Sequence, residues 1–121
     1  MKQYSFEKLK FWNDIRFLVK QIYSLTKTFP EDERYGLISQ MRRSAISVSS
    51  NIAEGTSRTS LKDQAHFSQI SYSSLMELLS QTILSVDLGF LKEEDYKELR
   101  LQIESLSRQI NALRKSQLNR L

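Results

Sequence analysis

Apolar positions along this chain recur at three- and four-residue steps, which puts them on single helix faces, and nowhere do they alternate as in a strand. Trp12, Ile15, Leu18, Val19, Ile22 and Leu25 form one such stripe and predict a first helix over about residues 7 to 27. Thr28-Phe29-Pro30 closes it, because proline cannot continue a helix and disfavours helical geometry in the residue before it. A second stripe, Ile38, Met41, Ala45, Val48 and Ile52, predicts a helix that opens in Glu31-Asp32-Glu33, where carboxylates meet the positive end of the helix dipole. Gly55, a candidate left-handed cap, and the polar run Thr56-Ser57-Arg58-Thr59 end it.

Ser60-Leu61-Lys62-Asp63 has the form of a capping box and opens a third helix carrying Leu61, Ala65, Tyr72, Leu75, Leu79, Thr82 and Val86, which stops at Gly89. The fourth begins in Glu93-Glu94-Asp95 and carries Tyr96, Leu99, Ile103, Leu106, Ile110 and Leu113 in heptad spacing. Four amphipathic helices with short connections predict an all-α fold, an antiparallel up-down-up-down four-helix bundle in one domain over residues 1–121. At about 100° per residue, Phe17 falls off the first stripe, and Phe67, Ile70, Leu78, Leu84 and Leu88 fall off the third. Scattered surface apolar residues are normal. A helix apolar nearly all round, however, is expected to be buried nearly all round, which makes Phe17, Phe67, Ile70 and Leu78 candidates for a subunit interface in a homo-oligomer.

Composition narrows the picture further. One proline and three glycines in 121 residues suit helices with short loops rather than a many-stranded sheet. With no cysteine, disulfides and thiolate chemistry are excluded. The N-terminal MKQYSFEKLKFWND has no apolar targeting core, and no long apolar run follows, so a soluble, cytoplasmic protein without a membrane partner is expected.

Charge is distributed unevenly. Residues 1–30 carry six basic and two acidic groups, and residues 105–121 carry four basic groups and no acid, whereas 59–90 and 91–104 are each net −2. In an antiparallel bundle the first helix start, the second loop and the last helix end share a pole. That pole collects Lys2, Lys8, Lys10, Arg58, Lys62, Arg114, Lys115 and Arg120 against Glu7, Glu54 and Asp63. Dipole compensation accounts for acids at the starts of the second and fourth helices, but not for Lys2, Lys8 and Lys10 at a helix start. Their placement points to an anionic partner.

Catalytic chemistry finds little support. His66 is the sole histidine, so Asp63-x-x-His66 cannot be completed into a di-iron site, and the residues after it lack the lysine and glycine usual in phosphotransfer domains. No serine has a base to activate it, and no glycine-rich phosphate loop exists. No enzyme activity, metal or other cofactor is expected. Arg42 and Arg43 are adjacent and point about 100° apart. Either Arg42 or Arg43 is expected to contact phosphate, for which guanidinium is well shaped, or Arg43 and Glu54 satisfy partners on neighbouring helices or subunits. Asn51-Ile52-Ala53-Glu54-Gly55 reads as structural, with Asn51 and Glu54 as cross-helix hydrogen bonders.

Tyr35-Gly36-Leu37, Gln40-Met41-Arg42-Arg43-Ser44-Ala45, Ser47-Val48 and Asn51-Ile52-Ala53-Glu54-Gly55 fall in order, followed by Arg58, Phe67, Ser74-Leu75-Met76-Glu77-Leu78 and Leu88-Gly89. This set resembles the four-helix-bundle family of 23S ribosomal RNA intervening-sequence proteins, which includes accessory proteins of diversity-generating retroelements. The similarity runs from about Phe6 to Leu113. The resemblance implies a homopentameric barrel with a basic surface and no known catalysis; in the retroelement branch it also implies binding to nucleic acid and a reverse transcriptase. Ser44 departs from the family, where a second small apolar residue is common, and so does Lys92, where a serine or threonine cap is frequent.

The sequence thus predicts a non-enzymatic oligomer that binds RNA or DNA, in an accessory role to a nucleic-acid-processing protein. The residues expected at that surface are Lys8, Lys10, Arg42, Arg43, Arg58, Lys62, Arg114 and Lys115. The alternative is a protein-interaction scaffold that does not touch nucleic acid directly.

Overall fold

In the computed structural model, which describes every residue from Met1 to Leu121, the periodic segments form four long helices and no strand. These are α1 (Trp12–Thr26), α2 (Leu37–Thr56), α3 (Leu61–Asp87) and α4 (Glu93–Asn119), with 3-10 turns at Ser5–Lys8 and Glu31–Glu33. All four contribute to one core. Ile15, Leu18 and Ile22 of α1 meet Met41, Ala45, Val48 and Ile52 of α2, Leu75 and Leu78 of α3, and Leu99, Ile103, Leu106 and Ile110 of α4. Each large side chain removed from water contributes about 1.5–3 kcal/mol, so this cluster is the main source of stability. None of the helices is long and apolar enough to cross a membrane.

Two helix starts lie later than the periodicity predicts. Residues before Trp12 do not extend α1: Leu9 is extended, and Phe6 folds back edge-on to Trp12 with ring centroids 4.8 Å apart. The chain gives up a turn of helix there to bring Phe6, Leu9 and Phe11 over the end of the core. Glu31–Glu33 is a separate 3-10 turn rather than the first turn of α2, and Glu33 Oε1 accepts from the amide of Leu37, the first residue of α2. The carboxylates still serve the start of α2, but from outside the helix.

The far ends behave as expected for α3 and not for α2. Gly89 has φ +77°, and its amide donates to the carbonyl of Val86 while Phe90 donates to that of Ser85, which is the Schellman closure of a helix. Phe90 then meets Phe29 across the neighbouring loop at 5.7 Å. Gly55, by contrast, lies within α2 without a positive φ, and a Cβ there would come 2.9 Å from Cβ of Phe67. Its role is close approach of α2 to α3, not a left-handed cap.

That approach defines a polar seam. Ser47 and Ser74 share a hydrogen bond of 2.7 Å, Ser44 donates to Glu77 at 3.0 Å, and Ser71 donates to the Val48 carbonyl at 2.8 Å. The pairs 44–77, 47–74, 48–71 and 55–67 run in opposite senses along the two helices, so α2 and α3 are antiparallel. The Ser44 departure is thereby explained: the residue is buried, and its hydroxyl is satisfied by Glu77. Asn51 and Glu54 do not cross between helices. Asn51 donates to Ser47 within α2, and Glu54 pairs with Arg58 at 3.0 Å. The α1–α4 seam is different. Gln21 donates to Glu98 at 3.2 Å and accepts from Gln102, while Phe17 and Leu101 remain exposed beside a cleft of about 260 Å³.

Candidate nucleic-acid interface

Three contacts gather the expected basic residues at one end of the molecule. The N-terminal turn lies against the end of α2, where Tyr4, Ser5 and Phe6 line a small cleft with Ala53, Thr56 and Ser57. The four-residue link from Thr56 to Leu61 holds the start of α3 beside the end of α2. Buried Ser68 donates to buried Gln117 at 2.7 Å, fixing the end of α4 to the same place.

Within that end, Lys8, Lys10, Lys62 and Lys115 are exposed and form no ion pair; only three ion pairs exist in the chain. Arg114 is half-buried, and its Nε is sequestered with no hydrogen-bond partner. Arg58 is more committed, joined to Glu54 and lying over the Phe67 ring with its guanidinium carbon 4.7 Å from the centroid. Four lysines outside any ion pair therefore stand at this end, against Glu7, Glu54 and Asp63, and the excess of positive charge favours an anion and a salt-dependent contact.

Arg42 and Arg43 are not part of that end. Arg42 Nε donates to Thr26 Oγ1 at 3.0 Å, its Nη2 donates to the Tyr23 carbonyl at 3.3 Å, and the guanidinium lies 4.6 Å from the Tyr23 ring centroid. It closes the C-terminal turn of α1, where carbonyls lack helical partners. Arg43 is exposed, without an ion pair. Both line an open groove of about 570 Å³ between α1 and α2, with Tyr23, Arg34, Tyr35, Ile38, Ser39, Ile46 and Ser47. The sequence offered one signal for it, the Arg34-Tyr35 pair in a polar turn. That signal alone does not define the groove, because Tyr23 lies on another helix and the groove exists only once α1 and α2 pack.

Of the interface candidates, Leu78 must be corrected. It is fully buried within the chain's own core, because the inward face of α3 is centred on Ser71, Leu75, Leu78, Thr82 and Ser85 rather than on Tyr72 and Leu79. Phe17 is 52% exposed, whereas Phe67 and Ile70 are half-buried, and Phe67 is partly occupied by Gly55 and Arg58. His66 is exposed and lies edge-on to Phe67, with no three His, Cys, Asp or Glu side chains converging anywhere. Arg100, on α4 and outside both charged regions, is held more firmly in its charged form by donating to Tyr96 Oη at 2.8 Å and then to Glu104.

Residues 7–112 match the model of the 23S rRNA-intervening sequence protein family. A solved structure of similar fold is a protein with unknown function from the S23 ribosomal protein family of Bacteroides thetaiotaomicron. It has a TM-score of 0.77 at 17% identity, with 86% of this chain and 97% of that chain covered. No curated protein matches.

Proposed function

Because the chain belongs to the 23S rRNA-intervening sequence protein family, we propose that it is a non-enzymatic, oligomeric protein of the cytoplasm that holds RNA or DNA by its phosphates. The observation that carries this reading is the set of unpaired lysines, Lys8, Lys10, Lys62 and Lys115, brought to one end by three separate elements. Phosphate contacts of this kind position a nucleic acid without reading its sequence. In this reading the helices run up, down, up and down, and five copies form a barrel whose basic ends make one rim. Exposed Phe17, Leu84, Leu88 and Leu101 supply apolar surface for such an assembly.

The same exposed apolar residues favour a second reading, a scaffold that engages a protein and never touches nucleic acid. A salt titration separates the two. Binding of RNA or DNA should fall steeply with salt, and the Lys8→Gln, Lys10→Gln, Lys115→Gln triple variant should reduce the log–log slope by about 2 to 3 while weakening all sequences alike. No binding at about 50 mM salt leaves the scaffold as the better account.

A further inference from the structure

At the opposite end from the lysines, where Glu31, Asp32, Glu33 and the Glu93-Glu94-Asp95 run cluster along the chain, a groove between α1 and α2 is nevertheless lined by three arginines and two tyrosines. Its two aromatic rings each carry a guanidinium: Arg42 lies 4.6 Å from the Tyr23 centroid, and Arg34 lies 5.7 Å from that of Tyr35. Tyr35 is 85% exposed, the most open aromatic in the chain. A phenol that far into solvent adds nothing to the core, and no hydrogen bond holds it in place.

The cations divide by what they are bound to. Arg42 is fixed by Thr26 and the Tyr23 carbonyl, so it shapes the floor of the groove. Arg34 lies 4.0 Å from Glu31, an exposed pair that contributes little and opens readily. Arg43 has no carboxylate partner and faces the same space. Glu33 is turned toward the start of α2, accepting from the Leu37 amide, and it forms no ion pair with the arginines of the groove. Asp32 remains exposed nearby and opposes part of this charge.

An aromatic face left open beside unpaired guanidinium is the arrangement by which proteins hold a single strand, with the base stacked on the ring and the phosphate on the cation. We propose that the groove is a subsite for an unpaired nucleotide of single-stranded nucleic acid, with its base on Tyr35 and its flanking phosphate on Arg43. This rests on the reading of the chain as a nucleic-acid-binding protein and adds what the lysine end does not supply. Lysines grip any backbone, duplex or single, whereas a base can reach Tyr35 only when it is unpaired.

The test uses fluorescence anisotropy with a labelled single-stranded RNA of about 12 nucleotides and an RNA duplex of the same length, at about 50 mM salt. Tyr35→Ala should weaken the single strand about tenfold and the duplex less than about twofold, Tyr35→Phe should keep single-strand affinity, and Arg43→Gln should weaken the single strand further than the same change at Arg108, an exposed, unpaired arginine of α4 outside the groove. Tyr35 is too exposed for its replacement to unfold the chain, and circular dichroism of each variant checks this. Equal losses for Arg43→Gln and Arg108→Gln, or an unchanged single-strand affinity in Tyr35→Ala, overturn the subsite. Wild-type binding to duplex but not to single strands also overturns it while leaving the lysine end intact. Binding to neither overturns both readings.

Discussion

A methyl group added at Gly55 would sit 2.9 Å from Cβ of Phe67, closer than two such carbons can approach, and both belong to helices pinned together over several turns. Alanine gains about 1 kcal/mol of helix propensity over glycine, but overpacking typically costs about 1–3 kcal/mol. Gly55→Ala should therefore lower stability in urea denaturation by about 1 kcal/mol. A more stable variant would mean that α2 and α3 have room to spare. The same residue shows how a single position misleads a reading by composition. A glycine followed by a polar run has the form of a helix cap, and only the location of Phe67 twelve residues on reveals a close approach instead. Arg42 is the converse case: one of a pair that reads as phosphate-binding, it spends two donors on the end of its neighbouring helix.

At the scale of the element, the four periodic stripes were legible because large aliphatic side chains mark the inward faces of α1, α2 and α4. On α3 they mark it only in part. Ser68, Ser71, Ser74, Thr82 and Ser85 are buried there, and hydroxyl residues carry no apolar signal. Their burial is affordable because each hydroxyl finds an acceptor, as Thr82 does at Leu78, Ser85 at Gln81 and Ser71 at Val48. That shift of the true face is why Leu78 looked peripheral. Helix ends were read less well than helix bodies, since Phe6 and Glu33 act through tertiary placement rather than local pattern. At α4 the sequence reading holds: Lys92 occupies the N-cap position in extended geometry and offers no side-chain acceptor to the first turn. Lys92→Ser should raise stability by about 1 kcal/mol, read as a higher urea midpoint at unchanged slope. No change would show that Glu93, Glu94 and Asp95 already satisfy that end.

For the whole molecule, core and assembly surfaces respond to different substitutions. Leu78→Ala should cost about 2–5 kcal/mol in unfolding free energy, because it opens a cavity inside the chain. Phe17→Glu should instead lower the mass seen by light scattering while leaving the unfolding of the subunit nearly unchanged. A fall in mass with Leu78→Ala at full stability would return that residue to the interface. The lysine end was visible from charge along the chain once helix order was assumed; the Tyr35 groove was not, because its residues come from two helices and a turn. The unequal seams also set the order in which the molecule comes apart. Helices α2 and α3 are close in sequence, joined by a four-residue link and zipped by serine hydroxyls, so their pairing costs little loop entropy. Outside the shared core, helix α1 meets α4 through glutamine bridges that water can replace, with Phe17 and Leu101 already half in solvent. Hydrogen exchange should therefore find the amides of α1 opening ahead of those in the α2–α3 pair, and equal protection in the two would show that Ile15, Leu18 and Ile22 hold α1 as firmly.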